Sequence, residues 1–122
     1  MADRLTCALV GCGRISKRHI EVLTAHAGFQ VIGVCDSRPD RVAAAAAASG
    51  ATAFFDHMEM VKALRPDVVS VLTHSGAHAR VACDVVPYAG NVVVEKPMAL
   101  TLDDADRMID TCDRAEIGRA HV

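Results

Sequence analysis

Lys96 stands between Glu95 and Pro97, directly after the apolar run Val92-Val93-Val94. An ammonium held at a strand end can hydrogen-bond a hydroxyl or carbonyl oxygen undergoing oxidation or reduction. Read alone, Lys96 is an exposed loop lysine; Glu95 and Pro97 change that, because the tripeptide at a strand end sets the direction of the side chain. Far upstream, Gly11-Cys12-Gly13-Arg14-Ile15-Ser16 fits GxGxxG/A with Ser in the third place. There the first glycine permits a tight turn and the second lets a pyrophosphate approach the backbone. The small third residue lets a helix pack close with its amides toward the anion. Asp36 lies between the two motifs, at the end of a second apolar run. A carboxylate there accepts hydrogen bonds from ribose hydroxyls and repels a 2′-phosphate, favouring NAD over NADP. Arg38 and Arg41 keep the NADP alternative open, since either can pair with a phosphate.

These residues need a scaffold that brings them together. Apolar runs predict strands over residues 5–10, 29–35, 51–55, 68–73 and 91–95. Amphipathic or capped segments between them predict helices over 15–26, from Pro39 to Gly50, 56–64, 77–88 and 101–115. Ile15, Ile20 and Leu23 share one face of the first helix. Pro39 suits a first turn, Asp56 a cap, and Thr-Leu-Asp-Asp from Thr101 a capping box. The six alanines from Ala43 to Ala48 are read as helix former and close-packing face, with no function. Five strands alternating with helices, each a continuous apolar run, predict an α/β doubly wound parallel sheet covered on both faces. Gly11–Ser16, Asp36, the segment from Thr73 to His78 and Glu95-Lys96-Pro97 then all fall on the sheet's C-terminal edge, where such folds bind ligands.

Composition narrows the partners. Aromatics make up 3% of the 122 residues, so the core is aliphatic. A net charge of -2, with Lys and Arg scattered, offers no field for nucleic acid. No stretch approaches the ~20 apolar residues of a membrane span. Cys7, Cys12, Cys35, Cys83 and Cys112 form neither a CxxC pair nor a metal spacing, so no metal is expected, and free thiols fit a reducing cytoplasm. His19 reads as structural, His26 and His57 as surface residues, and His74 and His78 as flanking a ligand-edge loop.

With these residues in place, the chain resembles the Gfo/Idh/MocA oxidoreductase family over residues 5–115. Gly11-Cys12-Gly13-Arg14-Ile15, Asp36, Thr73 with His78, and Glu95-Lys96-Pro97 carry the resemblance. Within the family it looks most like sugar-nucleotide 3-dehydrogenases. The resemblance implies a Rossmann domain over 1–115 that binds NAD(P) through Gly11, Gly13, Arg14, Ile15 and Asp36. It also implies Thr73, His78 and Glu95 near the nicotinamide, and Lys96 contacting the reacting sugar hydroxyl. One local departure is His74, where the family usually has Pro after the strand-four Thr. Members continue into a sixth strand and an α/β domain that holds the sugar or sugar-nucleotide and often mediates homo-oligomer assembly. The 122 residues contain neither, so the fragment alone is expected to be inactive. The alternatives are a stand-alone non-catalytic NAD(P)-binding module and a methyltransferase on the same architecture, against which Glu95-Lys96-Pro97 argues.

Residues 116–122 match no expected strand. They can be encoded by GAG ATC GGA AGA GCA CAC GTC, which after its first base spells a widely used short-read sequencing adapter. The tail is therefore expected to be non-native, and strand five to form an uncovered apolar edge that invites aggregation. Recovery of the same tail from independently amplified genomic DNA would refute the adapter origin.

Overall fold

The computed structural model describes residues 4–115 and, for the backbone alone, 118–121. Six strands form one parallel sheet in the order β3-β2-β1-β4-β5-β6. They are β1 (Leu5–Val10), β2 (Phe29–Cys35), β3 (Thr52–Phe54), β4 (Val68–Val71), β5 (Asn91–Val94) and β6 (Gly118–His121). Between them run α1 (Arg14–Ala25), α2 (Pro39–Ser49), α3 (His57–Leu64), α4 (His78–Val85) and α5 (Leu102–Arg114).

β1 lies at the centre and explains why apolar runs without alternation become strands here. Ala8 and Val10 enter a core shared with residues of α3, α4 and α5, such as Met60, Val81 and Met108. Leu9, one residue out of phase, enters a second core with Ile20 of α1 and Val42 and Ala45 of α2. Both faces are dry, so every position must be apolar. The sheet's order reverses direction between β1 and β4, and that switch point opens a crevice beyond the strands' C-terminal ends.

The helix signals act as expected. The Asp56 carboxylate accepts from the Met58 N–H and the Thr101 hydroxyl from the Asp104 N–H, capping α3 and α5. Pro39 opens α2, whose N-cap is Arg38. The helix expected over 77–88 is broken up: a 3-10 turn (Ser75–Ala77) precedes α4, and a second (Val86–Tyr88) tightens its end. Pro87, lacking an N–H, sits in that last turn.

Two expectations are corrected. Ile15 does not join Ile20 in the core; it is 42% exposed, because the first turn of α1 overhangs the sheet edge. The tail is not strand-free: Gly118–His121 pairs with Asn91–Val94, so β5 is not the outer edge. An open parallel edge offers backbone N–H and C=O groups to any extended segment, whatever its side chains. Of the last seven residues, 116, 117 and 122 lie outside the described residues.

Candidate functional site

Val10 ends β1 with its carbonyl accepting from the Leu72 N–H at 2.7 Å, and Gly11 then turns with φ +102°. Its N–H donates to the Cys35 carbonyl at 2.8 Å. A Cβ on Gly11 would lie 2.7 Å from the Leu72 carbonyl carbon and oxygen and 2.8 Å from the Thr73 nitrogen. This glycine is required by the fold itself. Gly13 differs. It is the N-cap of α1 with φ -78°, and a Cβ there would meet only Arg41 Nη1, at 3.8 Å. Nothing in the chain demands glycine at this position. The space it leaves open lies at the start of a helix with no side-chain cap and no acidic residue in its first turn. The Ser16 N–H of that turn donates to the Gly13 carbonyl at 3.1 Å, while the N–H groups of Arg14 and Ile15 are placed to meet an anion. Ser16, the small third residue of the motif, is 2% exposed and its hydroxyl donates to the Gly13 carbonyl at 2.6 Å.

Asp36 follows β2 on the neighbouring loop. Its Oδ2 accepts from the Cys12 N–H at 2.8 Å and its Oδ1 from the Arg38 N–H at 2.9 Å. The carboxylate is thus a brace for the glycine loop rather than the N-cap of α2. A carboxylate has about four lone-pair positions, so two remain for ligand hydroxyls. Gly11, Gly13, Arg14, Ile15, Asp36 and Thr73 all line one cleft of about 500 Å³ at the switch point. Phe55, His57 and Arg80 also line it, although no sequence signal marked them. His57, read as a surface residue, pairs instead with Asp84 at 3.0 Å and ties α3 to α4.

The other sequence-derived site residues stand at the same sheet edge but outside that lining. The Glu95 N–H extends the ladder to the Val71 carbonyl at 3.1 Å. Its carboxylate meets His19 Nε2 of α1 at 3.2 Å and the Lys96 N–H at 3.4 Å. The Lys96–Pro97 peptide is cis, and Lys96 is exposed. His78 is buried at the same edge. It is 1% exposed, with Nδ1 2.7 Å from the Pro97 carbonyl and Nε2 2.8 Å from the Thr73 carbonyl. Both ring nitrogens meet backbone carbonyls, so His78 braces the site.

Cys12, inside the glycine loop, is no nucleophile. Burial, with Asp36 beside it, pushes its thiol up to about 11. Burial, with the Cys12 thiol and then Asp56, Asp36 and Glu59, pushes Cys35 to about 12. Burial and Asp67 push Cys7 to about 11. In the unfolded chain these thiols ionise near 9.0. Their contribution to stability is therefore intact below pH 9 and is lost as pH rises toward 11–12. Urea midpoints measured at pH 7.5 and 10.5 should fall clearly at the higher pH; equal midpoints would mean the thiols are not buried as described. Among the described residues no group of His, Cys, Asp or Glu can hold a metal ion, and no helix is long and apolar enough to cross a membrane.

The comparisons with known proteins agree with this geometry. D-apiose dehydrogenase of Paraburkholderia graminis is 33% identical over 116 residues, covering 93% of this chain and 31% of its own length. D-glucoside 3-dehydrogenase of Escherichia coli is 32% identical over 109 residues, 88% of this chain and 31% of its own. The WlbA dehydrogenase of Bordetella pertussis, solved with NADH and UDP-GlcNAcA, superposes with a TM-score of 0.93 at 37% identity. That match covers 98% of this chain and 35% of the other. The chain thus spans about a third of the length of these relatives. A model of an oxidoreductase family with an NAD-binding Rossmann fold matches residues 5–118. With the glycine turn, the Asp36 carboxylate and the switch-point cleft already in place, the chain belongs to the Gfo/Idh/MocA oxidoreductase family, as its NAD-binding Rossmann domain.

Proposed function

We propose that this domain serves an oxidoreductase that moves a hydride between nicotinamide and a hydroxyl or ketone of a sugar or sugar nucleotide. The observation that carries the cofactor half is Gly13: a glycine the fold does not need, at an uncapped helix start, within a cleft whose next wall is Asp36. The fit to a dinucleotide follows residue by residue. The backbone from Gly11 to Ile15 faces the pyrophosphate, and the free lone pairs of Asp36 accept from the adenosine ribose. Thr73 and the Glu95-Lys96-Pro97 loop border the nicotinamide end. NAD supplies the hydride acceptor when bound.

Lys96 is proposed as the group that holds the reacting oxygen. The His19–Glu95 contact and the β4–β5 ladder fix its backbone while the ammonium stays exposed. A substrate surface closing over Lys96 would strip water from the ammonium and strengthen its hold on an alkoxide. The sugar class comes from the relatives, which include dehydrogenases of apiose and of glucosides and one solved with a UDP-sugar acid. A homo-oligomer is proposed for the full-length protein on the same resemblance.

The test is a fluorescence titration of the 122-residue chain with NADH, run beside S-adenosylmethionine. Saturable NADH binding with none to S-adenosylmethionine is expected. The reverse result would reassign the domain to methyl transfer.

A further inference from the structure

His78 makes an unusual pair of contacts. Both of its ring nitrogens lie within 2.8 Å of carbonyl oxygens, and the residue is 1% exposed. A carbonyl oxygen only accepts, and a neutral imidazole has one donor and one bare lone pair. In either neutral tautomer, or with both nitrogens protonated, the ring meets two loops at once. Turning the ring over would set carbon atoms against both carbonyls and forfeit both contacts.

The two partners are informative. Thr73 is the residue whose backbone Gly11 approaches, so its position is already tied to the glycine turn. Pro97 is the neighbour of Lys96 across the cis peptide. Glu95, on the other side of Lys96, is held by His19 of α1. Lys96 is thus flanked by two histidine contacts from two different helices, and His78 reaches across from one loop to the other. Around His78, the ionisable neighbours on its own segment are His74 and Arg80, and the loop it bonds carries Glu95 and Lys96. From α3, His57 pairs with Asp84; on α5, Asp104 pairs with Arg107. Val68–Val71 and Asn91–Val94 beneath it contain no ionisable side chain.

We propose that His78 is a positioning residue whose buried ring, held between the Thr73 and Pro97 carbonyls, fixes the spacing of the two loops bordering the nicotinamide end of the cleft. The inference rests on the cofactor reading above for which end is the nicotinamide end.

ADP-ribose has the adenosine, pyrophosphate and second ribose but no nicotinamide, so it separates a positioning role from a general loss of fold. In the 122-residue chain, His78→Ala should weaken NADH about tenfold and ADP-ribose less than about twofold, the scale of one buried hydrogen bond. Equal weakening of both, or of neither, overturns the proposal. If the variant fails to fold, the ring NMR signals of His78 in the unaltered chain decide. Through-space contacts from the ring to both the Thr73 and the Pro97 segments support the bracket, and contacts to only one overturn it. If the unaltered chain binds neither probe, the cofactor reading fails while the ring signals still judge the bracket.

Discussion

Gly11→Ala is expected to cost this domain about 2–5 kcal/mol of folding stability, a large share of what a small domain has. Two effects add. The residue sits at φ +102°, where a side chain costs ~1–2 kcal/mol. The new methyl would also lie 2.7 Å from the Leu72 backbone, a contact that only a shift of β4 or of the loop can relieve, at roughly 1–3 kcal/mol. Gly13→Ala, two residues on, should behave oppositely. Its φ of -78° is ordinary and the nearest atom to a new Cβ is 3.8 Å away, so stability should fall by no more than about 1 kcal/mol. NADH binding should nonetheless weaken by about tenfold or more, because the methyl fills the space left for the pyrophosphate. Urea melts with a constant slope, followed by NADH titration, read the two effects separately. A stable Gly11→Ala, or a Gly13→Ala that binds NADH normally, would show that the two glycines had been assigned the wrong tasks.

The contrast between these glycines also shows where sequence reading succeeds. Both were visible as one GxG motif with the turn assigned to Gly11 and the pyrophosphate approach to Gly13, and the structure gives that division its distances, 2.7 Å against 3.8 Å for an added Cβ. Strands were legible because β1 and β2 send residues into both cores and β4 and β5 into the first, which makes their sequences apolar-rich without a polar face. Asp36 was legible because it immediately follows such a run. The helix caps were legible because their bonds are local, spanning two or three residues.

What sequence reading missed depends on distant partners. Ile15 fits the apolar period of α1, but the sheet ends before it and leaves it facing the cleft. His78 was read as a cofactor neighbour because it lies on the right edge. Its burial follows from the Glu95-Lys96-Pro97 loop folding over it, nineteen residues away. Phe55 and His57 reach the cleft from the junction of β3 and α3 and Arg80 from α4, with no shared motif. Pairing of Gly118–His121 with β5 was missed because strand pairing at an open edge is driven by backbone groups, which composition does not reveal.

Asp36→Ala is expected to weaken NADH by about 10–100-fold and to shrink the preference of NADH over NADPH by about tenfold. The carboxylate performs two tasks at once. It fixes the glycine loop through the Cys12 N–H, at 2.8 Å, and the start of α2 through the Arg38 N–H, at 2.9 Å. On the proposed reading its remaining lone pairs, at the cleft that Asp36 lines, accept from ribose hydroxyls. Removing it loosens the loop for both cofactors, but it removes the ribose acceptor only for NADH and relieves repulsion only for NADPH. Arg38 and Arg41 line the same cleft and are exposed. The Arg38–Asp40 contact, at 3.5 Å between two exposed groups, is too weak to hold that guanidinium back from a 2′-phosphate. The ratio of the two dissociation constants, measured in the unaltered chain and in Asp36→Ala, cancels the shared loss from loop loosening. A ratio that shifts toward NADPH places Asp36 on the ribose. If both affinities fall by the same factor, the carboxylate acts only as a brace, and cofactor choice must be made by the arginines.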